Sequence, residues 1–288
     1  MPSSVSPELS AARAVLAPLA PHLTTILDGA AMEMQTDDNP MRFHHSGADL
    51  RELLREYLEE VAPDKEILRC SWFEPNRDVK PGVTRRHRCQ FAVYRYLDPE
   101  IFHASLIEKV ETIADDFMSV TDRLNKLAHV TKTTINPEEI EAHRLFNEAL
   151  SLLARFDAAI GEAHAHLKDG LESTLILDLS VLFSSDFFNE LDQLSTHTRP
   201  QDADSIVVTV VQISAERIEF TGTGSVNCDL QYGSDGDCSR GDGAEWSASF
   251  PFSFSGHALV SDPHKVSVRV EDIEIDTSSY ANDDDEPM

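Results

Sequence analysis

The hydrophobic pattern of this chain changes period near residue 200. Before that point apolar residues recur three or four positions apart, the spacing of amphipathic helices. After it they alternate or cluster in β-branched and aromatic runs, the spacing of half-buried strands. One chain carrying both periods in sequence, helices first and strands second, reads as an α+β protein. The expectation is an N-terminal helical domain followed by a C-terminal antiparallel β-sandwich-like domain.

Residues 1–41 read as a short helical segment, ended by the Asn-Pro turn in Thr36–Met41. Residues 42–168 read as the helical domain. Its first helix has Ser46 as a candidate N-cap and a stripe of Leu50, Leu53, Leu54, Tyr57, Leu58 and Val61. A long helix runs from Pro99 to about His129, with Leu106, Val110, Ile113, Phe117, Val120 and Leu124 on its buried side. Asn136 caps the next helix, with Pro137 at its first position, and that helix reaches His164 or His166. Residues 169–202 form a linker, helical or mixed, in which "LESTLILDLSVLF" fits helix or strand. Residues 203–277 carry four strand-like runs, and 278–288 form an acidic tail expected to be disordered.

Charge limits the function classes. The 288 residues include 51 acidic and 24 basic ones, a formal net charge of −27. Such a chain repels nucleic acid at long range, so a broad phosphate-coating surface is disfavoured and only a local basic patch remains open. "TRRHR", Thr84–Arg88, is the one dense basic cluster. Arg85, Arg86 and Arg88 could hold phosphates there, or could pair with the Glu-rich helix "REYLEEVAPDKE".

No run of eighteen apolar residues exists, so no membrane span is expected. The N-terminus does not read as a signal peptide, and the four cysteines lack CxxC spacing, which points to reduced thiols in a cytoplasm. "SDGDCSRGDGAE" resembles a cation-binding loop in composition but fails the EF-hand template at Arg240 and Trp246, and a Gly-rich hairpin loop is the better fit. The histidines show no zinc spacing, and phosphate-cradling glycine motifs are missing. No metal and no cofactor are expected.

One polar stretch stands out. "DRLNKLAHV", Asp122–Val130, holds Arg123, Asn125 and His129, with five residues between the Arg and the His. A metal-independent RNA-cleaving site needs an acid or base near neutrality, which histidine supplies. It also needs a fixed cation on the scissile phosphate, which arginine supplies, and an amide can position either. The other reading is a solvated helix end, with Arg123 paired to an acid and His129 near the C-terminal dipole. On a straight helix at about 100° per residue Asn125 and His129 share a face, while Arg123 lies about 120° from His129.

"RLNKLAH" resembles the Arg…His motif of HEPN domains, helical domains that include many bacterial toxin and defence ribonucleases. In many members the residue after the Arg is Asn; here Leu124 stands there and Asn125 follows. The resemblance spans roughly residues 42–166. It implies Arg123 and His129 as catalytic residues, Asn125 as their support, an RNA substrate and a homodimer. The stretches "HHSGADLRELLREYLEEVAPDKEI", "WFEP", "TRRHRCQFAVYR" and "LQYGSDGDCSRGDGAEWSASFPFSF" are similar to bacterial predicted PIWI-associating nucleases. That resemblance implies a conflict-system role beside a PIWI-type or other defence-operon partner. The rival reading is a non-enzymatic interaction or sensor module, its helices serving dimerisation and its β domain binding a partner.

Overall fold

The computed structural model describes residues 6–132, 135 and 137–281. Asn136 and most of the acidic tail lie outside the described residues. Two compact units divide between His164 and Ala165.

In the first unit, α1 (Pro7–Leu16) starts at Ser6, whose hydroxyl accepts the Leu9 amide at 3.2 Å. α2 (Pro21–Met34) packs on α3 (Arg42–Val61). The expected N-cap of α3 is corrected. The helix starts at Arg42, one turn before Ser46, which lies buried inside it with no hydrogen-bond partner for its hydroxyl among the described residues. Asn39 begins the turn instead: its side chain accepts the Met41 amide and its carbonyl accepts the Arg42 amide. This earlier start buries Phe43 and His44. The His44 ring nitrogens face the carbonyl oxygens of Leu127 at 2.6 Å and Ile135 at 3.4 Å.

α4 (Asp64–Ile67) is a single turn after Pro63. α5 (Arg85–Tyr94) opens with a reciprocal cap. The Thr84 hydroxyl accepts the His87 amide, and His87 Nδ1 accepts the Thr84 amide. Burial lowers the His87 pKa, in keeping with a ring that accepts rather than donates at Nδ1. Pro99–Ile101 forms a 3-10 turn, so α6 (Ala104–Ala128) starts after His103. α6 packs against α3 and α5 through Leu106, Val110, Ile113, Phe117, Val120 and Leu124, all buried. Phe156 of α7 (Glu139–Ser185) completes this core, with its ring edge-on to Tyr57 and Phe117.

α7 also settles the stretch that fitted either helix or strand. Residues 171–185 are helical, with Leu171, Leu175, Leu179 and Phe183 buried at four-residue spacing in the second unit. α8 (Asn189–Asp192) is one turn. A five-stranded antiparallel sheet follows, formed by β1 (His197–Ile213), β2 (Arg217–Tyr232), β3 (Ala244–Leu259), β4 (Asp262–Ser267) and β5 (Ile273–Ile275). The order is β1-β2-β3-β4, with β5 pairing β3.

One sheet face is apolar: Ile218, Phe220, Val226, Cys228 and Leu230 of β2 alternate with polar neighbours, as do Phe250, Phe252 and Phe254 of β3. The covering layer includes a helix rather than a second sheet. Phe183 of α7 meets Phe252 edge-on at 4.9 Å. The β1 amides of Ala203 and Val208 donate to Ser180 Oγ and Glu172 Oε1 of α7, at 2.9 and 2.8 Å.

Two glycines make the apolar face possible. Gly222 pairs with Phe254 and Gly224 with Phe252 across the ladder. A Cβ on Gly222 would meet the Phe254 ring and lie 2.8 Å from the Val207 carbonyl oxygen. The rings therefore occupy the space that side chains on β2 would fill.

The Asp- and Gly-rich stretch after β2 is not a bare hairpin loop. Asp235–Arg240 forms α9, capped reciprocally by Ser234 and Asp237 and ended by Gly241 in the left-handed region. Asp237, engaged by Ser234 and Arg240, is held below the usual carboxylate range, Ser234 being the larger cause.

The expected effect of Gly222→Ala is a loss of about 1–3 kcal/mol of stability from overpacking against backbone, read as a lower urea midpoint at unchanged slope. The thiols give a second test. Burial pushes Cys70, Cys89 and Cys228 each up to about 12. At pH 8 the native protein should alkylate first at half-exposed Cys238, the other three reacting only on unfolding. Mass spectrometry of iodoacetamide-treated protein reads the order directly.

Candidate functional site

The last turns of α6 present Arg123, Asn125 and His129 on a helix whose rotation is set by its buried stripe. Arg123 is turned toward α7. Its guanidinium makes two bonds from one nitrogen to Glu148, 2.7 and 2.8 Å to the two carboxylate oxygens. Both side chains are about one-third exposed, so solvent moderates the pair.

Asn125 takes a different direction. Two residues on, roughly 200° around the helix, it lines a cavity of about 220 Å³ with Arg51, Glu52 and Arg55 of α3, Arg85 of α5 and Thr121 of α6. Its side-chain amide has no hydrogen-bond partner among the described residues. His129 ends α6 as its C-cap, exposed, with its backbone amide donating to the Asn125 carbonyl at 3.1 Å. Asn125 and His129 are thus consecutive along one side of the helix end, and Arg123 is held on the other.

The basic cluster divides in the same way. Arg86 pairs with Glu111 and Asp115 of α6, and Arg88 with Asp64 and the Ala62 carbonyl. Arg85, at the first position of α5, is exposed and engages no carboxylate among the described residues. Within the cavity, Arg55 is surrounded by Glu52, Glu56 and Glu59. The hydrogen bond that Arg55 donates to Glu52 is the main cause of its raised pKa, and the same bond lowers that of Glu52. Arg51 makes no hydrogen bond or ion pair among the described residues. The Thr121 hydroxyl is buried and already donates to the Phe117 carbonyl at 2.6 Å, so it can only accept from a ligand. The cavity therefore presents two guanidiniums that form no ion pair among the described residues, a third held by glutamates, and an unbonded amide.

Sequence reasoning passed over four cavity residues, Glu52, Thr121 and the two arginines Arg51 and Arg55. The arginines stand four apart on the polar face of α3, where an alternating row of Arg and Glu reads as ordinary solvated surface. No group of three or more His, Cys, Asp or Glu side chains arranged to hold a metal ion occurs among the described residues. No helix among them is long and apolar enough to cross a membrane.

Two family profiles match the chain in succession. Residues 16–153 and residues 160–281 each match a profile described as "Predicted pPIWI-associating nuclease". The chain belongs to the predicted pPIWI-associating nuclease family. The two matches cover nearly its whole length, one falling on the helical part and the other on the end of α7 with the sheet. The family description carries two statements, a nuclease activity and an association with a PIWI-type protein. Neither the curated proteins nor the solved structures give a match.

The Arg123–Glu148 pair has a measurable signature. A double-mutant cycle with Arg123→Ala and Glu148→Ala should return a coupling of about 0.5–1 kcal/mol that shrinks in high salt. A coupling near zero at low salt would show that the two side chains do not pair in solution.

Proposed function

We propose that this family member is a metal-independent endoribonuclease of a bacterial defence system, with its chemistry at the end of α6. The observation that supports this best is the Asn125–His129 pair, one turn apart on an exposed helix end beside an arginine-lined cavity. An acidic chain offers a phosphodiester few such places.

In this reading His129 acts as base and removes the proton from a ribose 2′-hydroxyl. The freed oxygen attacks the adjacent phosphorus, and the 5′ oxygen departs. A second acid must protonate that leaving oxygen, and His129 of a symmetry-related copy supplies it in a homodimer. The products are a 2′,3′-cyclic phosphate and a 5′-hydroxyl. Asn125 positions the phosphate through its unpartnered amide. Arg123 lies on the other side of α6 from Asn125 and His129, so in this reading it is the symmetry-related copy's Arg123 that stabilises the charge on the phosphorane oxygens, once the anionic substrate has displaced Glu148. Arg85 adds long-range attraction, and Arg86 and Arg88 join it only if substrate also draws them from their acids. The second unit meets the PIWI-type partner that the family description names.

A second reading has its own support. The Arg123–Glu148 pair is a complete structural use of that arginine, and the net charge of −27 suits a protein-binding module better than an RNA-binding one. In that reading the helical unit serves dimerisation within the same defence operon.

Cleavage of a mixed-sequence RNA with EDTA present separates the two. His129→Ala should lower the rate by about 10²–10⁴-fold, and Glu148→Gln should raise it by releasing Arg123. Equal rates for wild type and His129→Ala, or no cleavage by either, would sink the enzyme reading.

A further inference from the structure

The cavity beside Asn125 has features that cleavage at the end of α6 does not require. It is enclosed on three sides by α3, α5 and α6, and its volume of about 220 Å³ lies below the range of roughly 300–1,000 Å³ typical of pockets that hold whole drug-sized ligands. A single compact polar group fits that size better than a nucleoside. Its charge is also specific. Arg55 is taken up by Glu52, Glu56 and Glu59, while Arg51 and Arg85 form no ion pair among the described residues. An internal phosphodiester carries one negative charge, whereas a terminal phosphomonoester carries about −1.5 to −2 at pH 7. Guanidinium forks and a free carboxamide suit the several oxygens of such a group. Thr121, whose hydroxyl already donates to the Phe117 carbonyl, can accept a hydrogen bond from the P–OH of a monoanionic phosphate. In a chain of net charge −27, two guanidiniums in one cavity with no ion pair among the described residues are the exception, since Arg86, Arg88 and Arg123 are all claimed.

We propose that the cavity formed by Arg51, Arg85, Asn125 and Thr121 binds the terminal phosphate of a nucleic-acid strand. It rests on the nuclease reading only in naming a strand as the bearer of that phosphate. A phosphate seated there would anchor a strand end next to the last turn of α6, so that the protein distinguishes phosphorylated ends from hydroxyl ends.

The test uses the full chain and 2′-O-methyl oligoribonucleotides, which lack the hydroxyl that cleavage needs, so binding is read apart from activity. Labelled strands with a 5′-phosphate, a 3′-phosphate or neither are compared by fluorescence anisotropy. Inorganic phosphate and a nucleoside 5′-monophosphate serve as competitors. One phosphorylated strand should bind at least tenfold tighter than the unphosphorylated strand. Arg85→Ser and Arg51→Gln should each remove that preference while circular dichroism and melting temperature stay unchanged. Arg144→Gln, which removes the same charge from an exposed position on α7, should leave it intact. Equal binding of all three strands would overturn the inference, as would an equal loss in Arg144→Gln. A monophosphate competing as well as the phosphorylated strand at equal concentration would also overturn it, because the ligand would then be a free nucleotide. Cleavage of ordinary RNA in the same preparation keeps the two claims apart. Cleavage without end preference removes this inference alone, and end preference without cleavage removes the enzyme reading alone.

Discussion

Leu106, Val110, Ile113, Phe117, Val120 and Leu124 lock α6 against α3 and α5, and that burial fixes the rotation of the helix about its own axis. Everything polar on α6 then has its direction assigned. Two positions of sequence separate Arg123 from Asn125, yet the helix sends one to a carboxylate of α7 and the other to a cavity under α3 and α5. A slip of one residue in this packing would rotate both by about 100° and take each away from its present surroundings. The chemistry of the site is in this sense a consequence of apolar packing one layer below it.

Acidic residues outnumber basic ones about two to one, and this imbalance shapes the electrostatics of the first unit. Most guanidiniums there find a carboxylate within reach, often two: Arg86 with Glu111 and Asp115, Arg42 with Asp37 and Glu139, Arg55 with three glutamates. Such pairs on a wet surface add little stability each. Their larger effect is to remove cations from competition for an external anion. Selectivity then comes from which arginines are left over rather than from how many the chain contains.

The α+β order, helices before strands, was legible because period three-to-four and period two leave different marks, and α6, β2 and β3 lie close to where those marks put them, whereas β1 starts at His197 instead of Ser205 and the run Lys265–Ile275 divides between β4 and β5. The beginning of α3 was not legible: Asn39 starts the helix through backbone and side-chain bonds, while Ser46 merely resembled a cap. The stretch from Leu171 to Phe183 was ambiguous because a short run of leucines and other apolar residues, broken by Glu172, Asp178 and Ser180, fits either period. Its helical state also depends on non-local partners, the β1 amides that Ser180 and Glu172 accept. The site was half legible. Asn125 and His129 share a side of α6 by spacing alone, but Glu148 as the partner of Arg123 lies 25 residues away on another helix. Arg51 entered the cavity only through tertiary packing, from a helix face that spacing marks as solvent.

The contacts of Ser180 and Glu172 with β1 have a consequence for recognition. A strand at the border of a sheet is a template, and an incoming chain can extend the sheet by pairing with its outward amides. In this sheet two of those amides are already occupied from α7, and β4 at the other border is only six residues long. Neither border offers an uninterrupted ladder. What the sheet offers beside its borders is side chains on its polar face, where Thr221, Thr223, Ser253 and Ser255 stand in adjacent rows. Such a surface discriminates by shape and hydroxyl pattern, and growth of the sheet into a continuous intermolecular one is held back by the same helix that covers its core.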